Sequence, residues 1–305
     1  MYTTMILGAI AGLSLFLYGM QLMGDGLQKV AGEGLKGIIR KLTKNRFMSV
    51  LVGMFVTTII QSSSATTVMV VGFVNAGLMT LAQAVGVVFG ANVGTTITGQ
   101  MVSFNLSQWA PIVIASGLVA NMLTKNPKVK EASEIFIGFG ILFIGMSSLS
   151  SALQPLKELP EFTNWILQYG SNPFIGVGIG LLMTLVLQSS SATIGVLIAL
   201  ASQGVLPITT AVFIIFGDNI GTCTTALISS LGTSRRGKQV ALFHLMINVI
   251  GTVYFMLFLR GILVNVVESI DPGNVARQIA NAHTIFNIVN VIVLFPFTNL
   301  LVKLI

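Results

Sequence analysis

Gln61-Ser62-Ser63-Ser64-Ala65-Thr66 returns 127 positions later as Gln188-Ser189-Ser190-Ser191-Ala192-Thr193. Five of the six side chains are polar, and apolar sequence flanks each copy on both sides. In lipid, such a cluster is tolerated only where it is buried in protein or lines a water-filled cavity. A re-entrant hairpin with the motif at its tip meets that condition. A new helix is expected to open at about Ser64, and its free backbone N–H groups, with the serine hydroxyls, suit an anion. The alternative, that serines merely bond helices together, fits a lone Ser-Ser better than a six-residue motif repeated in register.

The same shift carries Gly90-Ala91-Asn92-Val93-Gly94-Thr95 onto Gly217-Asp218-Asn219-Ile220-Gly221-Thr222. Residues 61–96 and 188–223 share 14 identities in 36 ungapped positions. The register continues through Asn45/Asn172, Gly53/Gly180, Thr57/Thr184 and Asn121/Asn248. A shift of 126 matches Gly19-Met20 with Gly145-Met146. The chain is therefore expected as a repeat over 1–124, a linker at 125–131, a second repeat over 132–258 and an extra C-terminal span within 259–305.

Composition sets the class. Of 305 residues, 16 are Lys or Arg, nine are Asp or Glu, and 54% are hydrophobic. With a mean hydropathy of +0.90, the chain lacks the charge to cover a soluble surface. Its hydrophobicity excludes disorder, and its single cysteine, Cys223, excludes a disulfide scaffold. The fold class is an all-α polytopic membrane protein with two inverted repeats, re-entrant hairpins and broken helices. A net charge of +7 reads as basic cytoplasmic loops, not as a nucleic-acid surface. No Lys or Arg precedes the first apolar stretch, so Thr4–Met23 is expected as a retained span. Further uninterrupted spans are expected at 109–124, 132–149, 239–259 and 279–300.

Loop charge orients the copies. Loop 24–46 carries Lys29, Lys36, Arg40, Lys41, Lys44 and Arg46, against Asp25 and Glu33; its mate at about 150–172 carries only Lys157 as a cation. Loop 231–238 carries Arg235, Arg236 and Lys238, whereas its mate at 104–111 is uncharged. Matched loops therefore favour opposite sides, as inverted repeats require. The expected topology places the N-terminus outside and the C-terminus in the cytoplasm, in a cell (inner) membrane.

Two glycines interrupt an apolar segment in the second motif, so a helix break is expected there. The freed carbonyls, with Asn92, Thr95, Asn219 and Thr222, would form neutral oxygen sites of the kind that hold sodium in transporters. Asp218 is the one acid inside an apolar segment, and its mate is Ala91. An intramembrane acid is a functional candidate with a cation as its partner. His244 and His283 each lie four residues before an asparagine, Asn248 and Asn287. These pairs read as interhelical hydrogen bonds ahead of a metal site, and no transition metal is expected.

Two copies of Gln-Ser-Ser-Ser, each followed about 29 residues later by Gly-x-Asn-x-Gly-Thr, resemble the type II sodium/phosphate cotransporter family in its bacterial branch. The resemblance covers nearly the whole chain. It implies sodium-driven import of inorganic phosphate by alternating access, with sodium as coupling ion and no cofactor. Carried over by motif, Ser62, Ser63, Ser64, Ser189, Ser190 and Ser191 would bind phosphate. Gln61, Thr66, Asn92, Thr95, Gln188, Thr193, Asp218, Asn219, Thr222 and Thr225 would bind sodium or support its site. Cys223 stands where the family often has Thr, and Asp218 where a small residue is usual. Bacterial relatives often continue into a PhoU-like regulatory domain, so the resemblance implies that this sequence is either a short form or a piece of a longer chain. A homodimer is left open.

Hydroxyls and helix ends also suit another small oxyanion such as sulfate. A serine hydrolase built from His244 or His283 with Asp218 lacks Gly-x-Ser-x-Gly, and a duplicated nucleophile has no catalytic rationale. An ion channel lacks its charged rings.

Overall fold

The computed structural model describes residues 2–32, 34–43 and 45–305. Glu33 and Lys44, and the side chains of Lys36, Arg40 and Lys41, lie outside the described residues, so this part of the charge argument has no structural counterpart here. The first half holds α1 (Tyr2–Ala31), α2 (Gly34–Leu42), α3 (Arg46–Ile60), α4 (Ser63–Asn75), α5 (Leu81–Ser103) and α6 (Ala110–Leu123). The second holds α7 (Pro127–Leu153), α8 (Pro160–Tyr169), α9 (Pro173–Leu187), α10 (Ser190–Ser202), α11 (Ile208–Gly221) and α12 (Cys223–Ser230). It continues with α13 (Arg235–Tyr254), α14 (Arg260–Ile270), α15 (Val275–Leu294) and α16 (Thr298–Leu304). Six helical stretches are long and apolar enough to cross a membrane, and no strand occurs among the described residues.

The two copies fold alike. Asn45 and Asn172, mates in the repeat, both cap a helix: Asn45 accepts from Met48 N–H, and Asn172 from Phe174 and Ile175 N–H. Helices α3 and α4, and again α9 and α10, are 15 and 13 residues long. Each falls short of the ~20 residues that span a bilayer, and each pair meets at its Gln-Ser step. Helices α1 and α7, also mates, pack along one another.

The expected break at Gly-x-Asn-x-Gly-Thr does not occur in the first copy. Helix α5 runs unbroken through Gly90–Thr96, and the second copy shows only a step at Thr222, whose φ of −56° and ψ of −26° remain helical. Here the glycines serve close approach. A Cβ on Gly90 would lie 1.9 Å from the Val50 carbonyl oxygen, and one on Gly217 would lie 2.0 Å from that of Val177. Across each interface Gly53 and Gly180 face Val87 and Ile214 equally tightly, at 2.2 and 2.0 Å. Lipid provides no hydrophobic drive to press helices together, so backbone contact at small residues takes over that role. In the first copy no helix break frees carbonyls for an ion.

Several bounds also move. Helix α1 continues past Met23 to Ala31, so Asp25 lies on a helix and not in a loop. Pro127 at the first turn, with Asn126 as cap, starts α7 inside the expected linker. Helix α6 has 14 residues, fewer than a full span. The 239–259 span runs on to Ile270 through a π-helical turn at Phe255–Leu259.

Candidate functional site

Each hairpin turns at its glutamine. Gln61 and Gln188 have φ of 58° and 52°, and their N–H groups donate to the Thr57 and Thr184 carbonyls. This left-handed residue ends α3 and α9 sharply. Ser62 and Ser189 follow in extended conformation and cap the next helices, accepting from Ala65 N–H at 3.1 Å and Ala192 N–H at 3.2 Å. Helices α4 and α10 thus open at Ser63 and Ser190, one residue ahead of the expected start. The N–H groups of Ser63, Ser64, Ser190 and Ser191 sit in first turns, where no intrahelical carbonyl receives them.

A cavity of about 310 Å³ joins the two tips. Ser62–Ser64 and Ser189–Ser191 line it together with Gln61, Gln188 and Thr95. Helix α1 closes another wall with Leu17, Met20, Gln21, Gly24, Asp25 and Gln28. No Lys or Arg lines it among the described residues. An anion here would meet hydroxyls and two helix N-termini, and Asp25 disfavours it unless a cation enters too. A narrow cleft beside the cavity adds Thr222 and Thr225 to Ser64, Ser189 and Ser190.

The other five candidates lie behind this surface. Thr66 and Thr193 are fully buried. Their hydroxyls pair with Thr57 at 3.0 Å and Thr184 at 2.9 Å, so each hairpin is pinned by the same threonine pair. Asp218 is buried, and its Oδ1 accepts from Thr184 Oγ1 at 2.6 Å. Its Oδ2 has no hydrogen-bond partner. The acid therefore reaches the second hairpin through Thr184. The first hairpin has only Ala91 at that position.

Asn219 donates to the Ile215 carbonyl. Asn92 belongs to a network between helices: His244 Nε2 lies 2.9 Å from Asn92 Oδ1, and Asn92 Nδ2 donates to Asn248 Oδ1 at 3.1 Å. Because that amide nitrogen faces Asn248, the carbonyl end faces His244, and the imidazole carries a proton on Nε2. Asn248 also donates to Cys223 Sγ at 3.3 Å. Helix α13 thereby ties the second motifs of both copies, as the His–Asn spacing suggested for His244. His283 retains an unpartnered Nδ1.

Sequence reasoning passed over Thr98, which donates to Gln61 Oε1 at 2.6 Å. Its mate Thr225 makes no such bond to Gln188 and instead donates to the Thr222 carbonyl. The shift of 127 was a usable signal, because Thr225 was already a candidate. The face Gln21, Gly24, Asp25 and Gln28 was also missed, although its spacing is that of one helical stripe. Thr98→Val is expected to lower unfolding stability by about 1 kcal/mol, the net value of one hydrogen bond. Thr225→Val is expected to cost less. Thermal unfolding of the two variants in detergent checks the difference.

Among the described residues, no three His, Cys, Asp or Glu side chains gather to hold a metal ion. The sequence model of one family, described as Na+/Pi-cotransporter, matches residues 15–151 and again residues 145–270. The Bacillus subtilis protein YqeW is 30% identical over 290 residues, covering 95% of this chain and 94% of YqeW. Escherichia coli YjbB, provisionally named an inorganic phosphate export protein, is 23% identical over 294 residues, covering 96% of this chain. The chain spans about half of that relative, 54% of its length. Rat sodium-dependent phosphate transport protein 2A is 37% identical over 102 residues, 32% of this chain and 16% of that protein. No solved structure matches the chain.

Proposed function

The chain belongs to the Na+/Pi-cotransporter family, and on that premise we propose that it carries inorganic phosphate across the cell (inner) membrane as a sodium-coupled symporter. Membership in a family of transporters supports phosphate transport by a multi-pass membrane protein. The observation that carries the finer reading is the convergence of both serine tips on one cavity that no Lys or Arg lines among the described residues. Eight donors, four hydroxyls and four first-turn N–H groups from residues 63, 64, 190 and 191, are then available to one oxyanion. Its charge requires partners that enter with it, which makes sodium coupling a physical need.

In this reading Ser62–Ser64 and Ser189–Ser191 hold phosphate. Gln61, Gln188, Thr95, Thr222 and Thr225 offer neutral oxygens to sodium at the rim. Asp218, with Thr184, Thr193 and Asn219, supports a cation on the side of the second hairpin only. The two copies, 1–124 and 132–258, are inverted, with the N-terminus outside and the C-terminus in the cytoplasm. Sodium entry favours phosphate entry, and the loaded site is then exposed to the other side.

Uptake of labelled phosphate by proteoliposomes, with sodium and voltage set independently, tests this. Absence of sodium-dependent uptake sinks the proposal. Unlabelled sulfate competing as well as phosphate would favour a broader oxyanion carrier. The likeness to YjbB favours a second reading in which net movement is outward; efflux from phosphate-loaded vesicles against imposed sodium gradients separates the two. Asp218→Asn keeps the Thr184 contact and removes the charge. It is expected to raise half-saturating sodium about tenfold, equivalent to about 1.4 kcal/mol, with phosphate affinity at saturating sodium little changed. Unaltered sodium dependence would remove Asp218 from the cation site.

A further inference from the structure

A second and larger cavity, about 820 Å³, lies outside the site described above. It is lined by serines 103, 147, 150, 151 and 202 and by Lys157. Two helices, α10 and α5, line both cavities in the same order, and the packed pair α1 and α7 lines one cavity each. On α10, Ser190 and Ser191 line the first, and Ile198, Ala201 and Ser202 line the second. On α5, Thr95 lines the first, and Val102 and Ser103 the second. Helices α1 and α7 run antiparallel, with Gly12 against Leu149, Phe16 against Gly145 and Gly26 against Ile135. The first cavity takes α1 from Leu17 to Gln28, and the second takes α7 from Met146 to Ser151. The two cavities therefore lie end to end, separated at the level of Phe16. The separation along α10, from Ser191 to Ile198, is about 10 Å at the rise of a helix.

Phe16 fills that level and is fully buried. Its backbone rests on Gly145, and its ring lies directly on Gly195, where a Cβ would come within 2.6 Å of Cζ. The repeat makes this seat asymmetric. The mate of Phe16 is Leu142, which sits on Gly19 as Phe16 sits on Gly145. The mate of Gly195, however, is Val68, which is exposed. Helix α10 packs on both α1 and α7, whereas α4 has no comparable contact with either. One side of the site thus carries an aromatic ring in a glycine seat, whereas the corresponding Val68 on the other side is exposed.

We propose that the second cavity is the other mouth of one oxyanion path, and that Phe16, seated on Gly145 and Gly195, is the gate between this mouth and the serine tips. Lys157 and the serine-rich walls fit this mouth to a small oxyanion. This deepens the transport reading and rests on it.

The test uses the full chain in intact cells and in inverted vesicles, with Gln21→Cys as reporter in the first cavity and a membrane-impermeant methanethiosulfonate as probe. With Phe16 present, labelling from the second mouth is expected at about a tenth or less of the rate from the first, as for a minor open population. Phe16→Ala is expected to remove most of that difference, and Phe16→Leu to keep it. Gly195→Ala, which must displace the ring, is expected to act in the direction of Phe16→Ala and serves if that variant does not fold. A second reporter, Ser150→Cys, is expected to be protected by millimolar inorganic phosphate from the side of the second mouth. An unchanged side difference in both Phe16→Ala and Gly195→Ala overturns the gate, and no protection at Ser150→Cys overturns the mouth. Both results stand apart from uptake: sodium-driven phosphate uptake with unchanged labelling refutes only the gate, whereas absent uptake refutes the transport reading.

Discussion

Ser63→Ala together with Ser190→Ala is expected to reduce the apparent affinity for phosphate by about 100-fold or more. The two serines occupy equivalent positions at the first turns of α4 and α10 and line one cavity from opposite hairpins. A hydrogen bond to a charged group contributes about 1.5–3 kcal/mol, and each 1.4 kcal/mol is about tenfold in affinity. Both side chains lie outside the caps formed by Ser62 and Ser189, so folding is expected to change little. Each single variant is expected to lose about tenfold or more, and the double variant roughly the product, since the two hydroxyls reach one ligand from different helices. Initial uptake rates over a range of phosphate concentrations, beside a melting curve for each variant, give the answer. Near-normal affinity in the double variant would show that phosphate does not sit between the tips.

Gly217→Val is expected to leave no folded protein, and Gly90→Val likewise. The added Cβ would lie 2.0 or 1.9 Å from a carbonyl oxygen of the facing helix. No rotamer relieves a clash between Cβ and backbone, so α9 and α11, or α3 and α5, must separate along their length. A loss of at least about 4 kcal/mol places this among the exceptional substitutions. Gly178→Ala is the matched control: nothing lies within 4 Å of its Cβ position, and alanine improves helix propensity by about 1 kcal/mol. Size-exclusion profiles in detergent separate the outcomes. A monodisperse, transport-deficient Gly217→Val would instead mean that this glycine serves ion binding and not packing.

Much of the site was legible because its chemistry is local. Gln-Ser-Ser-Ser contains a turn residue, a cap and a first turn in succession, so hairpin and helix start both follow from adjacent residues. Repetition then implied that two such tips exist. The second motif misled for the opposite reason. Glycine is compatible with a broken helix and with a close-packed one, and only the facing helix distinguishes them. Here α3 and α9 lie against Gly90 and Gly217, so α5 continues through its motif, α11 steps only at Thr222, and Asn92 meets His244 and Asn248. Asp25 was assigned to a loop because helix α1 outruns its apolar stretch by a further two turns.

By itself the sequence determined the membrane class, the duplication and the serine tips, since each depends on composition or on neighbours along the chain. The tertiary structure alone decided which candidates share a cavity and which stand behind it. It also decided that Asp218 reaches only the second hairpin, through Thr184. Finally, it set Phe16 on Gly195 while leaving Val68 uncovered. The physical reason is the same in each case. A repeat specifies equal parts, but contacts between parts depend on packing between segments from 34 residues apart, as for Thr184 and Asp218, to well over a hundred, and no local pattern carries that information.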